Sequence, residues 1–108
     1  MADIRELSQD DLYSEVKNDD YTLVDFFAPW CGPCTILSGR LAEYSNMETA
    51  IPIIKVNVDE NPDITKEFDV STIPQLFLVD SSGEVIANLR GILTPANLDK
   101  WVQEHTTQ

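Results

Sequence analysis

Basic residues are scarce. Seven lysines and arginines stand against 19 aspartates and glutamates in 108 residues, a formal net charge of −12. A chain so acidic repels phosphate backbones and anionic headgroups, which argues against nucleic acid and membrane surfaces as partners. Long apolar runs are missing too: nothing approaches the roughly 18 consecutive apolar residues that a membrane span needs. Cysteine is confined to two positions and histidine to one, His105. A zinc site usually takes four ligands, so no metal is expected. The start, Met1-Ala2-Asp3-Ile4-Arg5-Glu6, has neither the basic opening nor the apolar block of a secretory leader. With no framework of bridges to build, a reducing, cytoplasmic setting is expected. No glycine-rich phosphate loop occurs, so no bound cofactor is expected. Repeats, linkers and low-complexity stretches are absent, and the 43% apolar content suffices for an ordinary core. One domain spanning 1–108 is expected, with nothing demanding more than a monomer.

Both cysteines lie in one short stretch, Trp30-Cys31-Gly32-Pro33-Cys34. It follows an apolar, strand-like run and opens a segment that reads as helix. Positions i and i+3 share a helix face, with Cβ atoms roughly 5–6 Å apart. A disulfide needs about 3.8 Å, so a slightly tightened first turn lets the pair bond and unbond with little backbone movement. As a staple, so short a bridge is worth only roughly 2 kcal/mol. It suits an electron carrier better. Cys31 falls at the helix N-terminus, where unpaired N–H groups and the positive end of the dipole favour a thiolate. Cys34, one turn inside, is expected to be more shielded. Cys31 is then the attacking sulfur and Cys34 the resolving one. Pro33 has no N–H to lose in a first turn. Taken alone, the pair also admits two buried free cysteines, half of a metal site, or an iron–sulfur cluster shared between two subunits.

The remaining pattern reads as strands and helices in alternation. Ile4–Leu7 is a short strand. Ser8 is placed as the N-cap of a helix over 9–18 carrying Leu12 and Val16. Residues 22–28 form a strand with Leu23, Asp25 and Phe27 on one side and Val24, Phe26 and Ala28 on the other. Both faces are apolar except for Asp25, which predicts a central strand covered on both sides. The helix after Cys31 runs to about Met47, with Leu37, Leu41 and Tyr44 at helical spacing. Ile53–Val58 is the third strand, interrupted by Lys55, and a short helix follows from Glu60-Asn61-Pro62-Asp63 through Phe68. Leu76–Val79 and Glu84–Arg90 form a hairpin around Asp80-Ser81-Ser82-Gly83. Thr94 and Pro95 begin a last helix with Leu98, Trp101 and Val102 buried. The order β-α-β-α-β-α-β-β-α predicts an α/β fold: a mixed five-stranded sheet flanked by four helices.

The run VDFFAPWCGPC, the run KVNVDENP, the Ile73-Pro74 pair and the glycines Gly83 and Gly91 resemble thioredoxins in order and spacing, over nearly the whole chain. The resemblance implies the thioredoxin fold and a protein-disulfide reductase. Cys31 matches the nucleophile and Cys34 the resolving thiol. Asp25 matches a buried acid beneath the disulfide, Lys55 its neighbour on the adjoining strand, and Pro74 a cis-proline beside the disulfide. Trp30, Gly32, Pro33, Ile73 and Gly91 match the apolar surface on which substrates dock. Electrons are implied to come from a separate NADPH- and FAD-dependent thioredoxin reductase. Implied targets are ribonucleotide reductase, peroxiredoxin and methionine sulfoxide reductase. Physics supports part of this: a carboxylate buried without a partner has a raised pKa, and Asp25 poised in this way can take the Cys34 proton.

The departures from the family pattern are specific. Thr35 stands where Lys or Arg is usual, Gly39 where a proline kinks the helix, Phe27 where tryptophan is frequent, and Arg90 where an apolar residue precedes the glycine. Two rival readings are a docking module whose redox turnover is incidental and an isomerase or oxidase on the same fold. The Gly-Pro dipeptide between the cysteines resembles the reductase branch.

Overall fold

A strand apolar on both faces must be covered on both faces, and the strand Tyr21–Phe27 lies at the middle of the sheet. The computed structural model describes residues 2–106; Met1, Thr107 and Gln108, the ends of the expected 1–108 domain, lie outside the described residues. Among the described residues, five strands and four helices follow one another as β1 (Ile4–Glu6), α1 (Gln9–Val16), β2 (Tyr21–Phe27), α2 (Gly32–Ser45), β3 (Ile53–Asn57), α3 (Pro62–Glu67), β4 (Gln75–Asp80), β5 (Val85–Arg90) and α4 (Pro95–Thr106). The sheet order is β1-β3-β2-β4-β5. β3 runs parallel to both β1 and β2; β4 is antiparallel to β2 and β5. The predicted order of elements is observed, with boundaries shifted by one or two residues where helices and strands fray.

The alternation along β2 sorts two cores. Val24 and Phe26 face α1 and α3, in a cluster with Leu12, Val16, Ile64 and Phe77. Phe26, Phe68 and Phe77 pack edge-on or tilted there, with centroids 5.0–5.3 Å apart. Leu23 faces α2 and α4, in a cluster with Leu37, Leu41, Tyr44, Leu98 and Val102. Each fully buried side chain of this size contributes roughly 1.5–3 kcal/mol. Ala28, expected at the end of β2, instead leaves the strand and packs with the two cysteines. Trp101, expected in the buried stripe of α4, is only partly buried.

Two helix starts differ in their chemistry. Ser8 occupies the N-cap of α1, but its side chain makes no capping bond. Its hydroxyl donates instead to Asp11 Oδ2 at 3.3 Å. The Gln9 N–H donates to Asn61 Oδ1 at 2.9 Å, and Gln9 Oε1 in turn accepts from the N–H groups of Asp63 and Ile64 at 3.2 Å each. α1 and α3 thus cap each other. Thr94 behaves as expected, its Oγ1 accepting from the Asn97 N–H at 3.2 Å. The hairpin turn is closed by Asp80, whose Oδ1 accepts from the N–H groups of Ser82 and Glu84. No helix of the described residues is long and apolar enough to cross a membrane.

Candidate active site

β2 ends at Phe27, and a turn closed by the Cys31 N–H on the Ala28 carbonyl, 3.1 Å, delivers Cys31 to the head of α2. Cys31 is the N-cap, with extended backbone (φ −88°, ψ 110°). Pro33 in the first turn has no N–H to leave unsatisfied. Cys31 and Cys34 are bonded to each other, with Cα atoms 5.2 Å apart. The Cys34 N–H donates to Cys31 Sγ at 3.2 Å. One of the orphan donors at the head of α2 is therefore spent on a sulfur. The first turn of α2 carries no acidic residue, in a chain that has 19, so nothing there cancels the positive end of the helix. The expected difference in shielding is small in the bonded form: Cys31 is 6% exposed and Cys34 3%.

Asp25 is 1% exposed, and neither of its carboxyl oxygens has a hydrogen-bond partner. Its neighbours in register are Lys55 on β3 and Leu76 on β4. Burial pushes its carboxyl up and the Lys55 charge pulls it part of the way back, leaving it at about 7. Lys55 does not form an ion pair with it; among the described residues the salt bridge is Arg5–Glu15. The ammonium of Lys55 lies 4.6 Å from the centroid of the Phe27 ring and donates to Ser38 Oγ at 2.9 Å. Lys55, Ser38, Thr35 and Cys34 share a cleft of about 150 Å³ with Phe27, Ala28 and Pro29.

The other side of the disulfide is a flatter, more apolar surface. Trp30 is 72% exposed, and its indole N–H donates to Asp59 Oδ2 at 2.8 Å. Gly32 and Pro33 are exposed, as is Ile36 one turn along. Ile73 packs against the cysteine cluster. The Ile73–Pro74 peptide is cis, and Pro74 is buried. Gly91 has φ +106°, a conformation that favours glycine. The register that pairs Gln75 with Arg90 sets Gly91 alongside Pro74. Next to Trp30, a groove of about 200 Å³ is lined by Val58, Thr65, Val70, Ser71 and Ile73.

Four residues at this site escaped sequence reasoning: Ser38, Asp59, Ser71 and Ile36. Ser38 and Ile36 had a weak signal, since Ser38 lies four residues after Cys34, on the same helix face. Asp59 and Ser71 had none, because their contacts come from the fold. Thr35, the residue in place of a family cation, is exposed, and its hydroxyl donates to the Cys31 carbonyl at 3.4 Å. Among the described residues, no group of three or more His, Cys, Asp or Glu side chains is arranged to hold a metal.

The family model described as Thioredoxin matches residues 3–104. The chain is 35% identical over 107 residues to the thioredoxin of Haemophilus influenzae, covering 97% of this chain and 99% of that one. It is 39% identical over 85 residues to Thioredoxin-2 of Pyricularia oryzae, where the match spans 79% of this chain and about half, 49%, of that relative. Among solved structures, a point mutant of the thioredoxin from Halobacterium salinarum superposes with a TM-score of 0.87 at 25% identity, over 98% of this chain and 93% of that one. A bonded Cys-Gly-Pro-Cys pair at the head of a helix, on this fold and with these relatives, has one reading: the chain belongs to the thioredoxin family and is a protein-disulfide reductase.

Proposed function

We propose that the chain is a cytoplasmic, monomeric electron carrier of one domain that reduces protein disulfides through a reversible Cys31–Cys34 bridge. In the dithiol form the Cys31 thiolate attacks one sulfur of the target disulfide. A mixed disulfide forms, and the other target sulfur leaves as a thiolate. Asp25 accepts the Cys34 proton, and the Cys34 thiolate attacks Cys31 Sγ. The second target sulfur leaves, two electrons have passed to the target, and the Cys31–Cys34 bond is restored. Lys55 is a positioning residue that biases the charge of Asp25. Trp30, Gly32, Pro33, Ile73, Pro74 and Gly91 form the surface on which the target chain lies. Reduction of the bridge is assigned to a separate NADPH- and FAD-dependent thioredoxin reductase, so the chain itself binds no cofactor. Targets in keeping with this chemistry are ribonucleotide reductase, peroxiredoxin and methionine sulfoxide reductase.

The observation that carries this reading is the Cys31–Cys34 bond at the helix head, with the Cys34 N–H aimed at Cys31 Sγ. Insulin reduction tests it. The unaltered protein turns over, Cys31→Ser does not, and Cys34→Ser accumulates a covalent adduct with insulin that dithiothreitol releases. Retention of full turnover by Cys31→Ser would overturn the reading.

A further inference from the structure

The groove beside Trp30 is apolar along Val58, Val70 and Ile73; Asp59, bonded to Trp30, brings a negative charge to one part of its edge and Arg90 a positive charge to another. Arg90 Nη2 donates to the hydroxyl of Ser71, a lining residue, at 3.3 Å. Arg90 is exposed and ends β5, paired in register with Gln75, which follows Pro74. No carboxylate of the described residues lies within salt-bridge distance of its guanidinium, since Arg5–Glu15 is the pair that forms. A guanidinium carries five N–H donors in a planar fork. The Ser71 bond uses one of them, and the others face no acceptor within the described chain.

The chain as a whole is strongly acidic, at −12. At physiological salt, charges farther away than about 8 Å are largely screened. At such distances an acidic target therefore feels little of the chain's net charge, and it meets the Arg90 cation only once it is seated. That arrangement selects by contact rather than by steering.

We propose that Arg90 binds a carboxylate side chain of the target polypeptide seated in the Trp30–Ser71 groove, so that the protein favours disulfides flanked by Asp or Glu. The proposal rests on the disulfide-reductase reading and deepens it. The target carboxylate accepts two parallel N–H bonds from the fork, while Ser71 holds the guanidinium at the groove edge. Trp30, fixed by Asp59, lines the same groove and precedes the attacking sulfur in the chain.

Three disulfide-bonded peptides that differ only in one residue near the target cysteine, Glu, Gln or Lys, test this. The position is scanned over the two residues on either side. The second-order rate of reduction by the pre-reduced protein is measured at about 0.15 M salt. At one position the Glu peptide is reduced about two- to fivefold faster than the Gln peptide, the upper range of an exposed charge pair made by a bidentate arginine, and the Lys peptide is slowest. Arg90→Gln brings the Glu-to-Gln ratio to about one, and Arg90→Glu inverts the order in favour of Lys. The ratio is the readout, so a general loss of activity does not imitate the effect. Equal rates at every position, or a Glu preference that survives in Arg90→Gln, overturn the assignment. Failure of the unaltered protein to reduce any of the peptides overturns the reductase reading itself, and the assignment with it.

Discussion

Lys55 stands directly opposite Asp25 across the parallel β2–β3 ladder, yet its ammonium donates to Ser38 Oγ at 2.9 Å and not to that carboxylate. Asp25 is left with two unpartnered oxygens in the core. A full ion pair would hold it charged and make it a poor proton acceptor. Without any cation nearby it would hold its proton to higher pH. The tether to Ser38 keeps the ammonium close enough to pull the carboxyl back and too far to pin it, at a value of about 7.

Asp25→Asn should stabilise the oxidised protein, by an amount that depends on pH. The native carboxyl titrates at about 7 against 3.8 in an unperturbed setting. Between those values the native state holds a proton that the unfolded state has lost. Stability of the parent therefore falls as pH rises from about 4 to about 7, and levels off above. The variant lacks this slope. Urea unfolding should show it near parity at about pH 3.5 and more stable by on the order of 4 kcal/mol at about pH 8. Turnover of protein disulfides should fall by roughly 10²-fold, the usual loss of a general base.

Lys55→Met should push the Asp25 carboxyl above its present value of about 7, because the Lys55 charge lowers it. The pH range over which stability declines then extends upward. A carboxyl titration followed by ¹³C NMR reads the midpoint directly. An unmoved midpoint would show that Lys55 exerts no field at Asp25. Loss of the contact with the Phe27 ring should cost about a further 1 kcal/mol.

Gly83→Ala should destabilise the protein by about 2 kcal/mol and leave its redox chemistry alone. Gly83 has φ +86°, and a Cβ there would fall 2.7 and 2.9 Å from Cδ1 and Cε1 of Tyr13. The tyrosine must move, and its hydrogen bond to Glu67 Oε1, 2.7 Å, goes with it. Burial and the Glu67 contact raise the Tyr13 phenol to about 12. Ultraviolet titration of the variant should show that value falling back toward about 10.

Gly39→Ala should have the opposite sign. Gly39 lies inside α2, and a Cβ there meets nothing within 4 Å. Replacing glycine in a helix interior gains about 0.5–1 kcal/mol. For a domain of this size the thermal midpoint should rise by roughly 2–8 °C, measured by circular dichroism. A fall would show that the helix needs the missing Cβ there.

How much was legible in the sequence follows from how local each cause is. The alternation along β2 is a property of seven consecutive residues, so the pattern alone put Leu23 and Asp25 on one face and Val24 and Phe26 on the other. The head of α2 was legible because Cys31 and Cys34 share one turn. The hairpin was legible because Asp80-Ser81-Ser82-Gly83 is its own turn signal. Ser8 was legible as the N-cap position, but its hydroxyl turns to Asp11, and the Gln9 N–H is taken by an asparagine 52 residues further along. Asp59 and Ser71 were silent for the same reason, and Ser38 was marked only by its spacing from Cys34. The spacing put Ser38 on the face of Cys34, but the lysine of β3 that reaches its hydroxyl comes from the fold.

The exchange of caps between α1 and α3 ties together two segments that are distant along the chain. Gln9 completes the start of α3, and α3 carries Thr65 in the wall of the groove beside Trp30. An early segment far from the sulfurs therefore acts as a strut for the recognition surface. Fraying there would loosen the grip on a target while the electron-carrying bond stayed whole.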